Sequence, residues 1–145
     1  MAGMSPIDEP LATLVSGTAK QLTRAFEEVL TAAGGSTSTW LVLSALKADD
    51  HRTQGDLARA IGLKEPTLTY HVEALRRRGF VTRERESGNR RVQRVVLTDA
   101  GEQLFLRLRR AAASFDGRLR AGLGDDDVSA LRRLLAQLTE NAQPD

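Results

Sequence analysis

From Ile7 to Leu30 a single stripe recurs at Ile7, Leu11, Leu14, Thr18, Leu22, Ala25 and Val29, in steps of three and four residues. That spacing keeps the stripe on one face of a helix. Pro10 falls in its first turn, where proline is tolerated, and Gly34-Gly35 ends it. Val15, Phe26 and Leu30 widen the stripe beyond what a surface helix usually carries, so this face needs a cover. Ser36, Thr37 and Ser38 offer N-caps for a second helix over Thr39–Ala48 that buries Trp40, Leu43 and Leu46. Thr53-Gln54-Gly55-Asp56 has the spacing of a capping box. It opens a short helix through Ala60, with Leu57, Ala58 and Ile61 facing inward and Gly62 closing it. A further helix starts after Leu63, takes Pro66 in its first turn and runs to Arg78, where Gly79 stops it. Its inward positions are Leu68, Val72 and Leu75.

The period then changes. Phe80–Glu86 and Val92–Leu97 read as strands around Ser87-Gly88-Asn89-Arg90, with Gly88-Asn89 at the centre of a two-residue hairpin turn. Thr98 caps a long helix over Asp99–Ala121, striped by Leu104, Leu108, Ala111, Phe115 and Leu119. Gly122 and Gly124 break it. Asp125, Asp126 and Asp127 suit the positive end of a last helix, whose apolar face is Val128, Leu131, Leu134, Leu135 and Leu138. The macrodipole accounts for those three acids without a metal.

The expected fold is mainly α with a small β-hairpin wing: a winged helix-turn-helix flanked by dimerisation helices. Residues 1–35 are expected to form an N-terminal dimerisation helix, 36–98 the winged helix-turn-helix domain and 99–145 the C-terminal dimerisation helices. The two terminal stripes exceed what a small monomer buries on itself. They therefore predict a homodimer held by Ile7, Leu11, Leu14, Leu119, Leu131, Leu134, Leu135 and Leu138.

Composition narrows the chemistry. The 145 residues include 41% hydrophobic and 28% charged positions, a globular balance of about one domain. No apolar run nears the roughly 18 residues that cross a bilayer, and the N-terminus lacks a basic-then-apolar leader pattern, so the expectation is a cytoplasmic protein without membrane contact. Cysteine is absent and there are two histidines, His51 and His71. This excludes disulfides, thiolate metal sites, a cysteine nucleophile and thiol redox sensing, and no cofactor is expected. No phosphate-binding glycine loop, HExxH or nucleophile elbow is present, which argues against an enzyme.

The net charge of +2 conceals a gradient: from Arg52 to Arg94 there are eleven basic and five acidic residues, elsewhere ten basic and fourteen acidic. A basic middle between acidic ends suits a polyanion-binding module. Two short helices joined through a glycine, followed by an arginine-rich hairpin, place the second short helix in a DNA major groove with its N-terminal turns on base edges. Lys64, Pro66, Thr67, Thr69 and Tyr70 lie on its outward face, with Thr53 and Gln54 at the start of the bracing helix. Thr67 and Thr69 can hydrogen-bond base edges or pack their methyls on thymine. Arg76 and Arg77 sit ~10–15 Å further along at ~1.5 Å per residue, a distance that suits phosphates. At the hairpin, Arg90 and Arg91 would enter the minor groove, with Arg83 flanking phosphates.

Trp40-Leu41-Val42-Leu43, Thr53-Gln54-Gly55-Asp56-Leu57-Ala58, Ile61-Gly62-Leu63, Thr67-Leu68-Thr69, Arg78-Gly79-Phe80-Val81, Asn89-Arg90-Arg91 and Leu97-Thr98-Asp99-Ala100-Gly101 occur in the order and spacing of MarR-type transcriptional regulators. From Ser36 to Leu108 the chain resembles that family by motif, and its flanking helices by arrangement. Two positions depart from the pattern: Asn89 stands where the wing usually has aspartate, and Asp99 where proline usually follows the threonine. The resemblance implies a homodimeric repressor released from DNA by a small ligand, aromatic or phenolic, lodged between the dimerisation and DNA-binding parts. Phe26, Trp40, His51 and Phe105 are the residues that would line such a pocket, although Phe26 and Trp40 read first as core residues. A two-fold dimer calls for a pseudo-palindromic operator. The alternative reading is a winged-helix protein-interaction module without sequence-specific DNA binding.

Overall fold

The computed structural model describes residues 8–49, 53–86 and 88–144, with backbone alone at 86 and 89–92. Ile7 and His51 lie outside the described residues, as do the side chains of Arg90 and Arg91. The elements run α1 (Leu11–Ala32), α2 (Thr37–Ala48), α3 (Gln54–Ile61), α4 (Glu65–Arg77), β1 (Val81–Glu86), β2 (Asn89–Leu97), α5 (Asp99–Leu119) and α6 (Asp125–Asn141). The type and order expected from the sequence hold throughout. The chain divides within α5 into two compact units, one up to Ala112 and one from Ala113.

Most helix ends are set by the residues that the sequence marks. The Ser36 hydroxyl accepts from the Thr39 N–H at 3.0 Å, so α2 begins at Thr37 rather than Thr39. The Thr53 hydroxyl accepts from the Asp56 N–H at 3.1 Å and opens α3. Gly62 turns at φ 70° and closes that helix, its successor Leu63 donating back to the Ala58 carbonyl at 3.1 Å. Pro10 is the N-cap of α1 rather than a residue of its first turn, because α1 starts at Leu11. At the other end of the chain, α5 stops at Leu119 and not at Ala121. The Asp127 carboxylate accepts from the Gly124 N–H at 2.8 Å and secures the start of α6.

Strand β1 pairs antiparallel with β2 from Val81↔Leu97 to Arg85↔Gln93, and the next pair is Glu86↔Asn89. Over that step β2 advances four residues while β1 advances one, so Arg90, Arg91 and Val92 bulge from the ladder. This corrects the expected hairpin. Strand β2 begins at Asn89, not Val92, and Gly88-Asn89 is not the turn centre. A turn with both central residues at positive φ would need Asn89 there, and among the described residues only glycines take positive φ, Gly88 at 95°. An isolated antiparallel bridge joins Thr53 to Arg94 and ties the start of α3 to the wing.

The core of the first unit draws on every element from α1 to the first half of α5. Leu30, Val42, Leu43, Leu46, Leu57, Leu68, Val72, Leu104 and Leu108 are fully buried, with Val81 and Val95 at 1%. Each such side chain contributes about 1.5–3 kcal/mol of burial free energy. The start of α5 lies very close to the turn between α4 and β1. Thr98 donates its backbone N–H to the Phe80 carbonyl at 3.1 Å and its hydroxyl to the Gly79 carbonyl at 2.6 Å. A Cβ on Gly101 would stand 2.0 Å from the Phe80 carbonyl oxygen. Only glycine fits there.

Candidate nucleic-acid interface

Helices α3 and α4 bury Leu57, Ala58, Leu68, Val72 and Leu75, which leaves one face of α4 open. Lys64 is the N-cap of α4 and Pro66 lies in its first turn, where its missing N–H costs no hydrogen bond. Lys64, Pro66, Thr67, Thr69 and Tyr70 are all exposed, Tyr70 at 74%. An exposed aromatic ring at the start of a helix, in T-shaped contact with His71 at 5.5 Å, is available to a partner rather than to the core. A shallow cleft of about 390 Å³ runs along this face beside Pro66, Thr69, Tyr70, Glu73, Ala74 and Arg77.

Two of the expected contact residues are joined to each other. The Gln54 amide donates to the Thr69 hydroxyl, which in turn donates to the Glu65 carbonyl at 2.8 Å. The pair locks the start of α3 to the first turns of α4. The hydroxyl of Thr69 is thereby engaged, while Thr67 and Tyr70 stand open. Thr53 is the helix cap described above, half-buried. Its hydroxyl, and then the Arg59 guanidinium, hold the Asp56 carboxyl below its ordinary pKa.

The basic residues are organised by an acid that sequence reasoning left out of the site. Glu73 accepts from Arg76 Nε at 3.0 Å and from a second nitrogen of the same guanidinium, a bidentate pair. Arg83, on β1, donates to Glu73 Oε2 at 3.4 Å, and Arg77 Nε lies 3.7 Å from Oε1. The hydrogen bond from Arg76 is the main reason that the Glu73 carboxyl sits below its ordinary pKa, and the same bond raises that of Arg76. The i, i+3 and i, i+4 spacing of Glu73 to Arg76 and Arg77 was visible in the sequence; the link to Arg83 was not. Arg78 stacks over the Phe80 ring at 4.9 Å.

Of the residues expected to line an effector pocket, Trp40 and Phe105 are stacked at 5.8 Å with their planes 5° apart, and Phe26 packs half-buried on the same core. A different groove, about 640 Å³ and open to solvent, follows one face of α1 past Ala19, Lys20, Thr23, Arg24, Glu27 and Glu28 to Thr37. Glu27 accepts there from the Thr37 N–H at 2.8 Å and from its hydroxyl. The expected dimerisation residues are apolar and largely uncovered: Leu11 is 60% exposed and Leu14 48% on α1. Leu131, Leu134 and Leu135 are about half exposed on α6, Leu119 is exposed, and Leu138 is half-buried. Among the described residues no group of His, Cys, Asp and Glu could hold a metal ion, and no single helix is long and apolar enough to cross a membrane.

Residues 34–92 match the MarR family. Over nearly the whole chain the fold is also that of solved regulators. The transcriptional repressor CouR bound to a 23-mer DNA duplex is 26% identical with a TM-score of 0.85, covering 96% of this chain and 99% of that one. CouR bound to p-coumaroyl-CoA is 24% identical at TM-score 0.80, covering 96% and 98%. The PcaV regulator of Streptomyces coelicolor, in complex with its natural ligand, is 23% identical at TM-score 0.76, covering 99% and 100%.

Proposed function

We propose, from the match of residues 34–92 to the MarR family, that this chain represses transcription as a homodimer on a pseudo-palindromic operator and leaves it when a small aromatic or phenolic ligand binds. The observation that carries the reading is the build of α4. Its first turns present Pro66, Thr67 and Tyr70 to the outside, and its basic end is tied through Glu73 to the wing strand. Neutral, hydrogen-bonding side chains at the tip of a helix read base edges, and arginines two turns on meet phosphates. Residues Thr53 and Gln54 brace that helix. Arg90 and Arg91 stand on the stretch of β2 where the register with β1 shifts, and in this reading the wing meets the minor groove through them.

The apolar faces of α1 and α6 are the dimer surface in this reading, since half-exposed leucines at helical spacing gain most from a second copy. A two-fold pair sets its reading helices about 34–36 Å apart. A small ligand as partner is supported by the ligand-bound structures of CouR and PcaV. Duplex DNA in the cytoplasm is the partner, and the role is one of binding rather than catalysis.

Selection from a random duplex pool tests this directly. A pseudo-palindrome should be enriched, and Arg91→Ala should lose more than about tenfold in affinity for it, with a salt slope about one unit lower. Addition of a panel of aromatic acids should release the complex. Equal retention of scrambled duplexes and enriched sites would overturn the proposal.

A further inference from the structure

We infer that Glu73 is a positioning residue that sets how strongly this protein prefers its site over bulk DNA, by occupying the arginines that would otherwise grip any phosphate. The inference rests on the DNA-binding reading above and deepens it. Glu73 lies on α4 between the exposed reading turn and the basic run Arg76–Arg78, and its side chain is 27% exposed. It gathers two arginines from its own helix and one from β1, so a single carboxylate couples the recognition helix to the wing.

The chemistry explains why this matters. A carboxylate and a phosphate offer guanidinium the same paired oxygens, so Glu73 competes with DNA for Arg76, Arg77 and Arg83. Of the five N–H donors of a guanidinium, Arg76 gives two to Glu73 and keeps the rest for an outside acceptor. A phosphate placed to meet those remaining donors gains a guanidinium already held in one orientation. A phosphate placed elsewhere must break the bonds to Glu73 first. Arg83, itself only 27% exposed, is held toward α4 in the same way. Site-specific contacts therefore lose little to Glu73, and non-specific contacts lose more.

The test compares the full-length protein with Glu73→Gln, a near-isosteric change, on an enriched duplex and on a scrambled one across a salt series. E73Q should bind scrambled duplex about fivefold tighter, with a slope steeper by about one unit, and should gain no more than about twofold on the enriched site. The preference then shrinks. In an Arg76→Ala background the effect of E73Q should be reduced by half or more, because the guanidinium for which the carboxylate and phosphate chiefly compete is gone. Arg83→Lys, which keeps the charge but loses the fork, should also narrow the preference and serves if E73Q does not fold. Unchanged binding to scrambled duplex, or equal weakening on both duplexes, would overturn the role of Glu73. A parent protein with no preference for any sequence would instead overturn the operator reading, with the gain or absence of gain on scrambled duplex still deciding whether Glu73 competes with phosphate.

Discussion

The winged helix and the terminal helices handle apolar residues in opposite ways. From α2 to β2 the inward positions are closed off: Leu43, Leu46, Leu57, Leu68 and Val72 have no exposure at all. On α1 and α6 leucines at equally regular spacing remain open, Leu11 at 60% and Leu134 at 51%. Periodicity is the same in both regions, so amphipathic pattern alone does not separate a helix that completes a core within its own unit from one left with an open apolar face. What separates them is the number of elements that converge. Helices α1 to α4, the hairpin and the first half of α5 all send side chains into the one core, whereas the outer leucines of α1 and α6 lie outside it.

That contrast can be broken at its most tightly packed point. Gly101→Ala drives a methyl into the Phe80 carbonyl, and backbone cannot rotate away as a side chain can. The expected loss is on the order of 3 kcal/mol or more, seen as a fall in Tm of roughly 10 °C; a melt unchanged within error would show that the contact relaxes freely. The open faces predict the reverse outcome. Leu131→Asp with Leu135→Asp should leave Tm of the winged helix nearly intact but yield monomers in sedimentation, and operator affinity should drop by about a hundredfold because one half-site is lost. A stable dimer from that variant would refute the assignment of α6 to the interface.

Smaller effects sharpen the comparison within α4. Tyr70→Ala and Thr67→Ala should each weaken the enriched site by roughly 1–2 kcal/mol and change which bases are preferred, with little effect on scrambled duplex. Thr69→Val, whose hydroxyl is held by Gln54 and Glu65, should act mainly on stability; a changed base preference from Thr69→Val would reverse that assignment. The smallest effect concerns pH. The folded Glu73 carboxyl lies below its ordinary value because of Arg76. Its stabilising contribution is therefore complete above the ordinary glutamate pKa of about 4.3 and is lost as pH falls through the lower folded value. E73Q should lower Tm by a few degrees at most near neutral pH, and the two melts should converge in stronger acid. A difference that persisted in strong acid would mean the carboxylate charge is not its source.

Much of the fold was legible because its signals are local. Thr53 with Asp56, Gly62 and Gly79, and the steps of three and four at Leu68, Val72 and Leu75 act through residues within about one turn of each other. The start of α2 was missed by two residues because Ser36, Thr37 and Ser38 are all capping types, and only the bond from Thr39 to Ser36 decides among them. The exposed face of α4 was equally plain, since knowing the inward positions Leu68, Val72 and Leu75 leaves only one outward face.

What the amino-acid sequence determined alone is therefore the kind and order of the elements, the basic middle and the face of α4 turned outward, all consequences of backbone propensity and short-range spacing. Tertiary structure decided the rest. The three-residue bulge of β2 depends on pairing between strands, the tie from Glu73 to Arg83 on contact ten residues apart, and the need for glycine at Gly101 on the carbonyl of Phe80. These arise only when distant segments meet, and no local pattern encodes the distance at which they do.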